Sequence, residues 1–213
     1  MQRQLLSPET FVEPTSASFK EKGYIVRKKL LDVSMTRALC RYVHKRDELG
    51  LLGADQQVPE SPAAYGDTNM EILLVKIRPS VEQVTGLQLF PTYSYYRLYK
   101  HGAELRRHVD RPACEISVSL NLGQAPEDPW PLWLRGAQGV YAAYLQPGDA
   151  VIYRGMECEH WREPFPGKSL AQVFLHYVDA NGAHTDWKFD KRSALSIVRD
   201  NDLPAASPVS LKQ

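Results

Sequence analysis

The run Arg106-Arg107-His108-Val109-Asp110 sets an imidazole and a carboxylate two residues apart, and along a β-strand that spacing turns both side chains to one face. Two metal ligands then converge without special geometry. A third is supplied by His160, which follows the strand-like run PGDAVIYRG by a short loop. Two histidines and one carboxylate make the facial arrangement that suits non-haem iron(II), with three coordination positions left for a chelating cosubstrate and dioxygen. A His-x-Asp pair alone recurs by chance, so its weight comes from order. The pair opens a β-rich region, a Pro-Gly-Asp turn follows at 147–149, then His160, then the basic residue Lys168 at the head of the next strand-like run. Of the remaining histidines, His44, His101, His176 and His184, none has a partner at ligand spacing that outranks this set, and His176 is the nearest competitor.

Elements of two kinds must position these residues. GYIVRKKLL has the alternation of a short strand, and DVSMTRALCRYVHKRDELG reads as a helix capped by Asp32 or Ser34, with Met35, Leu39, Tyr42 and Leu49 near one face. Residues 53–67, GADQQVPESPAAYGD, form a long loop rather than a linker, of a kind that could cover an active site. NMEILLVKIRPSVEQVTG is helical in pattern, with Pro79 expected to kink or divide it and Gly86 to stop it. From residue 88 the period changes: YSYYRLY, CEISVSLNL, PLWLRG, VYAAYL, DAVIYRG and SLAQVFLHYV are short β-branched and aromatic segments separated by turn sequences. About six strands after two or three helices predict an α+β chain, an antiparallel barrel or jelly roll buttressed by helices on one face. Beyond Trp187 the tail is polar and carries Pro204 and Pro208, so its last residues are expected to be poorly ordered.

A chain of 213 residues suits one domain with a single core. Lys and Arg number 26 against 25 Asp and Glu, a net charge of +1 that provides no field for gathering polyanions and argues against a nucleic-acid partner. No stretch approaches the roughly 18 apolar residues of a spanning helix, so no membrane association and a cytoplasmic location are the default expectations. Cys40, Cys114 and Cys158 are odd in number and widely spaced, which predicts reduced, mostly buried thiols.

With these motifs in place, residues 86–178 resemble the double-stranded β-helix (jelly-roll) core of the iron(II)/2-oxoglutarate-dependent oxygenases, in particular the prolyl-4-hydroxylase-like branch. The upstream helix followed by LQLFPTYSYYRLYKHG, ending in the Tyr99-Lys100-His101-Gly102 turn, is similar to the same branch. The resemblance implies one oxygenase domain over 1–213, with mainly helical support at 1–87, the jelly-roll core at 88–178 and a C-terminal extension at 179–213. It implies Fe(II) on His108, Asp110 and His160, with 2-oxoglutarate as chelating cosubstrate and dioxygen as oxidant. Lys168, eight residues after His160, then fits the cation that holds the far carboxylate of 2-oxoglutarate; Arg162 is the competitor, two residues from a ligand. Tyr99 and Ser119 stand where relatives place residues beside the cosubstrate, although at Ser119 several of those relatives carry a tyrosine.

On the substrate side, strand alternation gives Arg106 the face of His108 and Asp110, which suggests a carboxylate-bearing substrate, and Trp161 is a candidate pocket wall or packing residue. The resemblance implies hydroxylation of an unactivated C–H bond in a small molecule, amino acid or peptide, since halogenating relatives lack a carboxylate at the Asp110 position. Desaturation or cyclisation fits the same site. The competing readings are a nucleic-acid demethylase on the same fold and a non-catalytic cupin-like metal-binding or sensor domain.

Overall fold

The computed structural model describes residues 16–126 and 129–198. Helices α1 (Ser16–Lys22), α2 (Val33–Glu48) and α3 (Thr68–Thr85) alternate with two short strands, β1 (Tyr24–Arg27) and β2 (Ala63–Tyr65). Eight strands follow: β3 (Leu89–Lys100), β4 (Leu105–His108), β5 (Ile116–Ala125), β6 (Leu132–Gly136), β7 (Gly139–Ala143), β8 (Ala150–Arg154), β9 (Glu159–Arg162) and β10 (Ser169–Asp179). All pairings are antiparallel, and they make a six-stranded sheet ordered β1-β8-β5-β10-β3-β2 and a four-stranded sheet ordered β4-β9-β6-β7. No helix among the described residues is long and apolar enough to cross a membrane.

The long strands β3 and β10 are buried on both faces, and alternation sorts their side chains between two cores. Tyr96, Leu98, Val173 and Leu175 join Leu39 and Val43 of α2 and Leu74, Ile77 and Val81 of α3 in the core between helices and sheet. Tyr99, Leu170 and Phe174 join Leu132 and Leu134 of the smaller sheet in a second core. The helices therefore cover one face of the large sheet, and the opposite face packs against the smaller sheet, with the site lined by strands of both.

Local signals fix most element ends. Asp32 caps α2 by accepting from the Met35 amide at 2.9 Å, and Gly86 ends α3 with φ of 71°, a conformation that glycine adopts without a Cβ penalty. Three expectations change. Pro79 does not divide α3, because it lies on the exposed side with Val75, so water can satisfy the carbonyl it leaves unbonded while the buried face holds the helix together. Leu49 caps α2 at its C-terminus and is exposed rather than part of the apolar face. The loop at 53–67 contains the short strand β2, paired with the edge of β3. The expected disorder of the final residues concerns positions outside those described.

The chain after β10 returns to α3. Glu71 of α3 is fully buried, and Arg192 donates to it at 2.6 Å while the Ser196 amide donates to its other oxygen. Removing one partner of a buried ion pair strands the other charge. Arg192→Ala is expected to lower stability by about 3 kcal/mol, seen as a lower urea midpoint with an unchanged slope.

Candidate active site

The site begins with an irregularity. Leu105 of β4 pairs with Arg162 and His108 with His160, so β4 spends three steps where β9 spends two. One extra residue is a bulge, and it breaks the alternation that a regular strand imposes. Leu105 and His108 both turn inward to line one cavity, while Arg106 and Arg107 face outward and are exposed. The strand ends at His108, and Asp110 lies just beyond it, held by a 2.8 Å hydrogen bond from its amide to the Gly155 carbonyl. On β9 alternation is regular: His160 and Arg162 share the inner face, and Trp161 points outward, stacked on Trp133 and covered by the Arg107 guanidinium at 3.9 Å.

The three candidate ligands converge. Asp110 Oδ1 lies 3.7 Å from His108 Nε2 and 3.6 Å from His160 Nε2, and the two imidazole rings are 4.2 Å apart. Each Nδ1 is tied to a main-chain carbonyl, of Arg106 at 2.8 Å and of Cys158 at 2.9 Å, so each Nδ1 carries the proton and each Nε2 lone pair faces the partners. Burial pushes the His160 pKa down to about 4, and burial with the neighbouring imidazole lowers that of His108. Burial also pushes Asp110 up to about 6. Neutral imidazoles and a crowded, desolvated carboxylate are what a metal cation relieves.

Asp110 is oriented from behind. Ser117 Oγ donates to Asp110 Oδ2 at 2.8 Å and sits 3.0 Å from His176 Nδ1, so His176 donates to the serine. Asp110, Cys114 and His176 form a second group of potential ligands within 4.8 Å of one another, tied by the Ser117 network and by a 3.0 Å contact between Tyr93 and the Cys114 thiol. Gly155 leaves room for this arrangement: a Cβ there would lie closest to the Cys114 carbonyl oxygen, then 2.5 Å from Asp110 Oδ2 and 2.8 Å from Ser117 Oγ. Gly155→Ala is expected to weaken ferrous-ion binding about 10–100-fold, the scale of a disturbed outer shell, measured by metal titration of the folded variant.

A cavity of about 670 Å³ opens from the triad, walled by Gln57, Tyr93, Tyr95, Arg97, Arg111 and Phe174. The loop expected as a cover contributes directly. Asp55 pairs with buried Arg97 at 2.5 Å, and Gln57 contacts both Arg97 and His108 Nε2 at 2.9 Å.

Other candidates land elsewhere. Lys168 precedes β10 in an exposed turn, where its amide donates to the Ala125 carbonyl, and it does not line the cavity. Arg162, the competing cation, also does not line the cavity; it is fully buried behind the wall and lies over Tyr99 and Trp130. Arg162 donates to the Trp130 carbonyl at 2.7 Å and to Gln172 at 3.4 Å, its Nε has no partner, and burial pushes its pKa down to about 10. Tyr99 and Ser119 are fully buried beside it: Tyr99 accepts from Arg97 at 2.8 Å, and Ser119 accepts from Gln172, also at 2.8 Å. Arg106 and Trp161 do not line the cavity, for the reasons of bulge and alternation just given.

One residue was legible but passed over: Arg97 sits between Tyr95 and Tyr99 on the inner face of YSYYRLY. Arg162, the competitor to Lys168 in the sequence, shares the strand face of His160 at a spacing of two.

No family model matches the chain, and no curated protein does. Solved structures do. A prolyl-4-hydroxylase from Pseudomonas putida superposes with a TM-score of 0.64 at 20% identity, covering 78% of this chain and 97% of its own. The epimerase SnoN from nogalamycin biosynthesis, solved with Fe3+ and alpha ketoglutarate, matches with a TM-score of 0.64 at 13% identity over 94% of this chain and 93% of its own. EctD from S. alaskensis, solved with 2-oxoglutarate and 5-hydroxyectoine, matches with a TM-score of 0.64 at 13% identity over 90% of both chains. This chain therefore has the fold of the iron- and 2-oxoglutarate-dependent oxygenases.

Proposed function

We propose that the chain is an iron(II)- and 2-oxoglutarate-dependent dioxygenase, built as a single jelly-roll domain, that hydroxylates an unactivated C–H bond of a small molecule, amino acid or peptide. The observation that carries this reading is the convergence of His108 Nε2, His160 Nε2 and Asp110 Oδ1 on the wall of one cavity. Two imidazoles with fixed tautomers and one carboxylate fit ferrous iron and leave open positions.

Arg162 supports the cosubstrate. A fully buried guanidinium with an orphaned Nε and no carboxylate among its hydrogen-bond partners asks for an anion. It stands two residues along β9 from His160, about 6.6 Å of strand, a separation suited to a five-carbon dicarboxylate chelated at its keto-acid end. Arg97 is the weaker claimant, since Asp55 already neutralises it. A metal-binding domain without turnover has no use for the unpaired Arg162.

When bound, iron and 2-oxoglutarate supply the oxidation, with succinate and carbon dioxide as products. The chain's own residues keep Asp110 aimed through Ser117 and enclose the reacting bond among Tyr93, Tyr95 and Phe174, while the buried Arg162 is the cation assigned to the far carboxylate of the chelate. The cavity volume is that of a small-molecule site. The expected result is oxygen-dependent conversion of 2-oxoglutarate to succinate by the Fe(II)-loaded protein, accelerated by substrate and absent in His108→Ala. Equal succinate release by that variant would place the chemistry elsewhere.

A further inference from the structure

We propose that Arg111 anchors a carboxylate of the substrate, and that Asp190 occupies this anchor until the substrate displaces it. The proposal rests on the oxygenase reading and names a substrate class for the same site.

Arg111 directly follows the candidate ligand Asp110 and is one of the residues that line the cavity. It already holds a carboxylate in the planar two-bond geometry that arginine favours: Nη1 donates to Asp190 Oδ1 at 2.7 Å and Nη2 to Oδ2 at 2.8 Å. The cation lies over Tyr93 at 4.7 Å and Trp187 at 5.5 Å, and Tyr65 donates to Asp190 at 2.6 Å. A carboxylate receptor is thus assembled beside the metal site, filled by the protein's own side chain.

The residue filling it stands on strained backbone. Phe189, Asp190 and Lys191 have φ of 54°, 57° and 62°, three successive non-glycine residues in the left-handed region, where even one is uncommon. Such strain persists only where surrounding contacts hold it. The run ends at Arg192, which Glu71 and the Thr92 carbonyl fix in place, so the segment before it can relax without detaching the chain.

The cavity's other arginine behaves differently. Arg97 and Asp55 have side chains 4% and 2% exposed on a regular strand and a packed loop, with Tyr95, Tyr99 and Gln57 completing the network. Arg111 is 43% exposed, so a solute can reach it. The same cavity carries aromatic walls: Tyr93, which lies under the Arg111 cation, with Tyr95 and Phe174. The matching ligand is a carboxylic acid with an apolar or aromatic body that reaches from Arg111 towards the metal.

The test uses the full chain loaded anaerobically with Fe(II) and 2-oxoglutarate, and calorimetric titration with 3-phenylpropionate and its neutral isostere 3-phenylpropionamide. Asp190→Asn keeps a residue that tolerates the left-handed conformation while removing the competing charge. It is expected to bind the acid at least tenfold more tightly than the wild type, with the amide unchanged, and Arg111→Gln is expected to bind acid and amide alike. Tyr65→Phe, which removes a hydroxyl holding Asp190 and leaves the charges intact, is expected to tighten acid binding about threefold and serves if Asp190→Asn does not fold. Acid binding in Asp190→Asn equal to that of the wild type, or no preference for acid over amide in that variant, overturns the proposal. The visible band of the metal–cosubstrate complex separates the two readings. If it is present while these shifts are absent, only the anchor fails; if it is absent from the wild type, the oxygenase reading and the anchor fail together.

Discussion

Arg162→Met raises the concentration of 2-oxoglutarate that half-saturates the iron-loaded protein about a hundredfold, whereas Lys168→Ala leaves it within about twofold. The two cations differ in what surrounds them. Lys168 is exposed, and a charge paired in water contributes little. Arg162 is fully buried against Tyr99 and Trp130 with an unpaired Nε, so a carboxylate placed there meets a desolvated cation. Removing one side of such a pair costs about 3 kcal/mol, which is about two decades of affinity. Methionine keeps much of the volume among the aromatic neighbours, so the variant is expected to fold. Equal effects of the two substitutions would return the cosubstrate to the cation first expected from the sequence.

The second large effect is at Asp110. Asp110→Ala is expected to weaken ferrous-ion binding by more than about a thousandfold, since disturbing an outer-shell partner alone costs about 10–100-fold, and to reduce succinate formation to the level of metal-free protein. The loss is of a ligand and not of the fold: Asp110 is a loop residue beyond β4, and its amide bond to Gly155 is retained when the side chain is removed. Ferrous titration followed by circular dichroism checks both halves. Retained metal affinity in a folded Asp110→Ala would show that Asp110 is not a ligand.

The β-rich half, the helices ahead of it and the candidate triad were legible because their signals are local: period, turn residues and a His-x-Asp spacing. What was not legible depends on pairing. Arg106 appeared inward because a regular strand was assumed, and the bulge set by the Leu105–Arg162 and His108–His160 pairs reverses it. Lys168 appeared to head the next strand, yet it stops in the turn before Ser169, and the buried cation proposed in its place lies on the same strand as His160. Arg162 was visible in the sequence as the competitor to Lys168 and was set aside for its nearness to His160, although alternation on β9 gives it the same face. Pro79 was expected to kink or divide its helix, and the division does not occur because the buried face holds the helix together. The contacts of Asp55 with Arg97 and of Arg111 with Asp190 join residues 42 and 79 positions apart, and no local pattern announces such partners.

The most direct measurement is optical. Anaerobic addition of Fe(II) and 2-oxoglutarate to the full chain is expected to produce the visible charge-transfer band of the chelate, which neither component gives alone and which is lost in His108→Ala. A well-folded protein that develops no band contradicts the account, and a band that survives His108→Ala moves the metal away from the triad.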